Sequence, residues 1–132
     1  MTPRQIELVE TSFQRIAAEA DKAADIFYER LFAVSPDVRA LFSPDLAEQK
    51  KKLMQTMEVA VVNIRHLDSV TPALKEMGRR HVGYGVTVPQ YALVGGALIW
   101  TLNRMLGPDF TPEMRAAWTE LYTTLATVMT GN

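Results

Sequence analysis

The sequence contains no cysteine. This absence excludes disulfide bonds, thiolate metal sites, a cysteine nucleophile and covalent attachment of a cofactor through a C-x-x-C-H motif. The sequence also lacks the G-x-G-x-x-G and G-x-x-x-x-G-K-[ST] patterns, so we expect no nucleotide-binding loop. Any chemical site must therefore be built from other side chains.

Neither sign of charge dominates the chain. The 14 Lys and Arg residues are set against 15 Asp and Glu residues, for a formal net charge of -1. This balance predicts no nucleic-acid partner and no membrane partner. No apolar run approaches the roughly 18 residues of a membrane-spanning helix, and the opening residues MTPRQIELVE lack the pattern of a secretory signal. We therefore expect a cytoplasmic protein.

Proline and hydroxyl residues punctuate the chain at regular points. The length of 132 residues predicts a single domain over 1–132. A domain of this size can bury roughly two thirds of the surface that its unfolded chain exposes. A proline directly after Thr or Ser is typical of a helix start, where the hydroxyl caps the helix and proline occupies its first turn. This order occurs at Pro3, Pro36, Pro72 and Pro112. Further helices are predicted from Pro89 and from about Leu46.

Apolar residues recur every three or four positions, which favours helices over strands. One such stripe consists of Leu46, Gln49, Leu53, Met57, Ala60, Val61 and Ile64. Another consists of Met114, Trp118, Leu121, Leu125 and Val128. The predicted fold class is all-α, with six to eight helices joined by short connections.

Three polar side chains, His81, Gln49 and Tyr28, lie on these apolar stripes. Each has an ordinary explanation: a core histidine donating to a carbonyl, a glutamine near a helix start, and a tyrosine whose hydroxyl reaches solvent. Together they indicate a joint site, because a buried polar group needs a partner.

A single neutral histidine is a poor site for a bare metal ion. It is sufficient for haem, which brings its own equatorial ligands but also needs a large apolar slot. The residues that could line such a slot are Phe27, Phe42, Leu53, Met57, Met77, Val86, Leu98 and Val128.

Five segments together resemble a known family over nearly the whole chain. They are FYERLF (27–32), SPDVRALF (35–42), Gln49 with Leu53, GRRHVGYGV (78–86) and Tyr91. Their order and spacing are similar to those of bacterial single-domain globins of the flavohaemoglobin type, and especially of the short Hell's Gate globin group. The resemblance implies a globin fold around a haem pocket.

The resemblance also implies roles for individual residues around a b-type haem. His81 would be the proximal iron ligand, and Phe42 would hold the porphyrin in place. Tyr28 and Gln49 would be the distal pair facing the bound gas, with Leu53 beside them.

Further partners are expected on the histidine side of the haem. The Met77 carbonyl, one helical turn before His81, is a natural acceptor for the second ring N–H. Tyr91 matches the tyrosine that hydrogen-bonds the proximal histidine in flavohaemoglobins, and Tyr84 is its rival. Arg80, or its neighbour Arg79, would pair with a haem propionate.

Three other features carry structural expectations. Gly83 and Gly85 are expected to let the chain leave the helix after His81 through backbone angles that other residues avoid. Close helix crossing is the expected reason for the Gly95–Gly96 pair, and His66 is expected to be exposed. Flavohaemoglobins also place a glutamate on the last helix, which would fall about one residue beyond Asn132.

The leading hypothesis is a globin that binds dioxygen, nitric oxide and carbon monoxide with high oxygen affinity, since Tyr28 and Gln49 can both donate hydrogen bonds. An enzymatic alternative is nitric oxide dioxygenation with a separate reductase, because no reductase domain is expected within 132 residues. A gas or redox sensor and a cofactor-free helical interaction protein are the remaining alternatives.

Overall fold

The computed structural model describes residues 1–131, and these form six α-helices and three short 3₁₀ helices. The α-helices are α1 (Pro3–Ala17), α2 (Ala20–Val34), α3 (Ala47–Val62), α4 (Thr71–Gly83), α5 (Val88–Leu106) and α6 (Pro112–Thr130). The 3₁₀ helices are Pro36–Leu41, Ile64–Val70 and Gly107–Asp109. No strand occurs in the described part of the chain, so the all-α prediction is confirmed.

Hydroxyl caps at two helix starts agree with the expectation. The Thr2 hydroxyl accepts from the Gln5 amide at 3.1 Å, and the Gln5 side chain accepts in return from the Thr2 amide at 2.9 Å. The Thr111 hydroxyl accepts from the Met114 amide at 3.2 Å. Thr71 behaves differently, because it already lies inside α4 and Val70 precedes the helix.

Two buried clusters form the core. The larger one joins α1, α5 and α6, and at its centre the Trp118 indole N–H donates to the Ser12 hydroxyl at 2.9 Å. The smaller one joins α2 to α5 and contains Phe27, Tyr28, Leu31, Val38 and Ala97. Leu98 packs against both clusters, so the space between them is bounded by α5.

Glycines permit two close helix contacts. A Cβ atom on Gly78 would overlap the main-chain carbonyl of Met129, which shows how tightly α4 packs on the end of α6. A Cβ atom on Gly95 would lie 2.7 Å from the Tyr122 ring, whereas one on Gly96 would meet nothing within 4 Å. Close helix crossing therefore accounts for Gly95 but not for Gly96.

No single described helix is long and apolar enough to span a membrane. One bent pair, Ile64–Gly83 with Val88–Asp109, passes that test by length and composition alone, with a bend of 113° between its two halves.

Candidate functional site

An apolar cavity of about 410 Å³ lies among α2, α3, α4, α5 and α6. Most of the residues that the sequence predicts for the site line it: His81, Leu53, Met57, Met77, Arg80, Val86, Leu98 and Tyr91. Phe27, which the sequence predicts as a lining residue of the apolar slot but with no other role, also lines the cavity. One imidazole therefore faces a largely hydrocarbon space, as the sequence pattern predicts.

Helix α4 presents His81 to this cavity in its last turn. The imidazole Nδ1 lies 2.7 Å from the Met77 carbonyl oxygen, one turn earlier in the same helix. Because a carbonyl can only accept, this contact assigns the ring proton to Nδ1 and leaves the lone pair on Nε2. The predicted carbonyl partner of His81 is thus present.

The chain turns sharply after His81. Its carbonyl accepts from the amides of Tyr84 at 3.1 Å and Val86 at 3.0 Å. Gly85 adopts a φ of +87°, which favours glycine, and the turn returns Val86 to the cavity wall. The expectation was wrong for Gly83, which lies within α4 with ordinary helical geometry.

The Tyr91 ring lies beside the His81 ring, and the hydrogen bond that Tyr91 forms with Tyr122 involves its main-chain carbonyl. The two ring centroids are 6.2 Å apart, and the Tyr91 carbonyl accepts from the Tyr122 hydroxyl at 2.6 Å. Burial raises the pKa of Tyr91 and of Tyr122, so both hydroxyls keep their protons over the neutral range. The Tyr84 ring is also 6.2 Å from the His81 ring, although Tyr84 is exposed.

Helix α6 contributes more of the cavity wall than the sequence pattern predicts. Trp118, Leu121 and Leu125 of the predicted stripe line the cavity, whereas Val128 of the same stripe does not. Tyr122, Ala126 and Met129, each next to a stripe position, also line it and were not predicted. The aromatic ring of Tyr122 beside Leu121 was the available signal.

Tyr28 and Gln49 are brought together beside the cavity rather than in its wall. The Tyr28 hydroxyl donates to the main-chain carbonyl of Gln49 across 3.4 Å, a long bond. Burial raises the pKa of Tyr28 to about 12, and its contact with Gln49 offsets part of that rise. Their neighbours Phe27 and Leu53 do line the cavity.

Phe42 also lies outside the cavity wall. Its ring meets the rings of Tyr28 and Phe32 edge-on, with both centroid distances at 5.6 Å. The structure thus joins the predicted distal pair, Tyr28 and Gln49, and the predicted porphyrin contact Phe42 in a cluster next to the cavity.

The two arginines before His81 have different surroundings. Arg79 donates to the Glu76 carboxylate through Nε and Nη2 at 3.0 and 2.8 Å, and this pairing lowers the pKa of Glu76. Arg80 lines the cavity and makes no ion pair with any residue among 1–131. Arg80 is therefore the arginine available to an acidic group at the cavity rim. His66 is exposed, as expected.

The globin family model matches residues 25–129 of this sequence. The chain belongs to the globin family. A neuroglobin of Danio rerio is 28% identical over 93% of this chain and 86% of its own length. The flavohemoprotein of Rhizobium meliloti (strain 1021) is 26% identical over 99% of this chain, which spans one third (33%) of that relative.

One solved structure is similar over nearly the whole chain. An engineered carbene transferase, made from a candidate nitric oxide dioxygenase of Rhodothermus marinus, superposes with a TM-score of 0.88. It is 25% identical, and the match covers 99% of this chain and 92% of that one. The predicted globin fold is confirmed by this likeness and by the family match.

Globin membership implies haem binding, and the chemistry of the cavity fits that group. The cavity offers a single imidazole with its lone pair on Nε2, an apolar wall and one unpaired cation at the rim. Within residues 1–131 no cluster of three or more His, Asp or Glu side chains competes as a site for a bare metal ion. The glutamate position of flavohaemoglobins lies outside the described residues.

Proposed function

We propose that this globin holds a b-type haem through His81 and binds dioxygen with high affinity, with Tyr28 and Gln49 as hydrogen-bond donors. The observation that carries the proposal is the Nδ1 contact of His81 with the Met77 carbonyl at 2.7 Å. It fixes the orientation of the ring and its tautomer, leaving Nε2 as the one imidazole lone pair in the apolar cavity. Haem, when bound, supplies an iron with one position for this imidazole and one for a gas.

The cavity residues support haem binding in two ways. Apolar side chains exclude water from the porphyrin, and one cation lies where a haem propionate needs a partner. Leu53, Met57 and Leu98 present hydrocarbon and thioether surface, which suits a porphyrin plane. Arg80 is unpaired among the described residues and would hold a propionate by a charge-assisted bond. Met77 lines the wall and also orients His81 through its carbonyl.

The distal pair supports high affinity because both residues can donate. With a pKa of about 12, Tyr28 keeps its hydroxyl proton at neutral pH. Its present bond to the Gln49 carbonyl is long, so exchanging that acceptor for a polar gas ligand loses little. At roughly 1 to 3 kcal/mol for each hydrogen bond to a charged acceptor, each donor changes affinity by about 5- to 150-fold.

An absorption spectrum of the purified protein tests the assignment. We expect a stoichiometric haem spectrum that shifts on reduction and again on addition of carbon monoxide. A protein that neither retains haem nor takes it up when reconstituted would overturn the proposal.

Nitric oxide dioxygenation with a separate reductase is the second candidate function. It is favoured by likeness to the flavohemoprotein and to the globin made from a candidate nitric oxide dioxygenase. The test is nitric oxide consumption with and without a flavin reductase. Sustained consumption that needs the reductase supports the enzyme, whereas one equivalent followed by arrest leaves gas binding alone.

A further inference from the structure

The guanidinium of Arg39 binds three consecutive main-chain carbonyls in the connection between α2 and α3. Its Nη1 donates to the Phe42 and Ser43 carbonyls at 3.3 and 2.9 Å, and its Nη2 donates to the Pro44 carbonyl at 3.0 Å. We propose that Arg39 is a positioning residue that clamps the segment 42–46 and thereby controls gas access and the placing of the distal pair. This inference rests on the proposed function.

Arg39 is held in place from its own side of the segment. It lies in the 3₁₀ helix Pro36–Leu41, is half-buried, and places its guanidinium 5.2 Å from the centroid of the Phe32 ring. Among residues 1–131 it pairs with no carboxylate, so its donors serve the carbonyls. A planar, rigid fork suits several fixed acceptors, whereas a lysine ammonium on a flexible stem does not.

The clamped carbonyls belong to a segment without a regular helix of its own. Residues 42–46 connect the 3₁₀ helix to α3, and their backbone groups need partners outside helical hydrogen bonding. Arg39 supplies partners for three carbonyls. Two side chains of the segment bond to the amides that follow. The Ser43 hydroxyl accepts from the Asp45 amide at 3.3 Å, and the Asp45 carboxylate accepts from the Ala47 amide at 3.0 Å.

These contacts connect Arg39 to the distal pair. The Asp45 contact sets the start of α3, whose first turn carries Gln49. The clamped residue Phe42 packs against Tyr28, and Tyr28 donates to the Gln49 carbonyl. Displacement of the clamped segment therefore moves both the ring that supports Tyr28 and the helix turn that holds its acceptor.

The residue directly before the clamped segment borders the histidine side of the site. Leu41 places its Cδ2 atom 3.8 Å from where a Cβ atom on Gly85 would lie, within the turn that follows His81. Because Val86 in that turn lines the cavity, the clamped segment begins one residue after a contact that reaches the edge of the cavity. Opening of residues 42–46 would widen this edge.

Amide hydrogen exchange and carbon monoxide rebinding on the haem-loaded protein test the clamp. In Arg39→Met the stem remains but the donors are lost, and exchange at residues 42–47 should accelerate by at least roughly 10-fold. Rebinding of carbon monoxide from solvent after flash photolysis should accelerate by roughly the same factor, because access scales with the open population. The five-coordinate ferrous spectrum, which reports the His81 bond, should not change.

Arg115→Met is the matched control. Arg115 also lies over a phenylalanine, 5.5 Å from the Phe110 ring centroid, but donates to none of these carbonyls. It should leave exchange at 42–47 and rebinding unchanged. If Arg39→Met does not fold, Arg39→Lys carries the test, and it should show the same local acceleration because an ammonium cannot span the three carbonyls.

Unchanged exchange at 42–47 in Arg39→Met, or in Arg39→Lys where that variant carries the test, would overturn the clamp. So would faster exchange with unaltered rebinding, since the segment would then not govern access. Exchange needs no haem, so failure of the unmodified chain to bind haem overturns the proposed function separately, and the exchange comparison still decides whether Arg39 holds the segment.

Discussion

The Nδ1 atom of His81 and the main-chain carbonyl of Met77 are 2.7 Å apart, and both belong to helix α4. A carbonyl four residues earlier is normally occupied by the helix itself, so the imidazole shares an acceptor that the helix already holds in place. The ring is therefore oriented by the backbone of its own helix. A ring held in this way is preorganised for the ligand role proposed for His81.

Replacing His81 should remove the proximal ligand without unfolding the protein. We expect His81→Ala to lose the five-coordinate ferrous spectrum of the unmodified protein, with recovery on adding free imidazole. The other histidine, His66, is exposed and gives a matched control, because His66→Ala should leave the spectrum unchanged. A normal ferrous spectrum in His81→Ala would show the ligand assignment to be wrong.

The distal pair should control how slowly dioxygen leaves. Tyr28→Phe and Gln49→Leu each remove one donor, so each should speed oxygen dissociation by about 5- to 150-fold. The effects should be less than additive, because the Tyr28 hydroxyl contacts the Gln49 backbone. Stopped-flow dissociation measures this.

Tyr84→Phe controls for loss of a hydroxyl, since Tyr84 is 62% exposed and lies on the histidine side. It should not alter the dissociation rate. Unchanged rates in both Tyr28→Phe and Gln49→Leu would exclude the two-donor account.

Several helix starts and the inward placement of His81 could be predicted from the sequence because local rules govern them. Pro3 and Pro112 with their preceding threonines begin helices as expected, and α3 begins at Ala47, one residue after the predicted Leu46. His81 lies on the inward face of its own helix. Each of these features depends on residues within one or two turns.

Features that depend on packing between distant segments were not predictable. The α1–α2 break near Glu19 contains neither glycine nor proline, so no local signal marks it. Tyr122 and Met129 line the cavity and Val128 does not, and α6 packs against α4 where Gly78 admits the Met129 carbonyl. Which of these neighbouring α6 residues reach the cavity depends on packing between helices that are distant in sequence.

Two neighbouring glycines in α5 should respond in opposite directions to alanine. Gly96→Ala meets open space, so it should raise the free energy of unfolding by about 1 kcal/mol through helix propensity. Gly95→Ala would bring a methyl group to 2.7 Å from the Tyr122 ring and should destabilise the fold. Urea denaturation of both variants measures the difference, and equal effects would contradict the close crossing of α5 and α6.

Stability should fall in alkaline solution because tyrosines that are buried in the fold ionise readily once unfolded. The pKa of Tyr28 is raised from 10.0 to about 12, so unfolding releases its proton only between these values. The free energy of unfolding should be level below about pH 10 and then decrease, by up to about 1.4 kcal/mol per pH unit for this one group. Tyr122, whose pKa is also raised by burial, adds to the decrease.

Denaturation from pH 8 to about pH 11.5 should show a shallower decline in Tyr28→Phe but not in Tyr84→Phe, where the ring is exposed. Equal declines in these two variants would show that burial does not hold the Tyr28 proton.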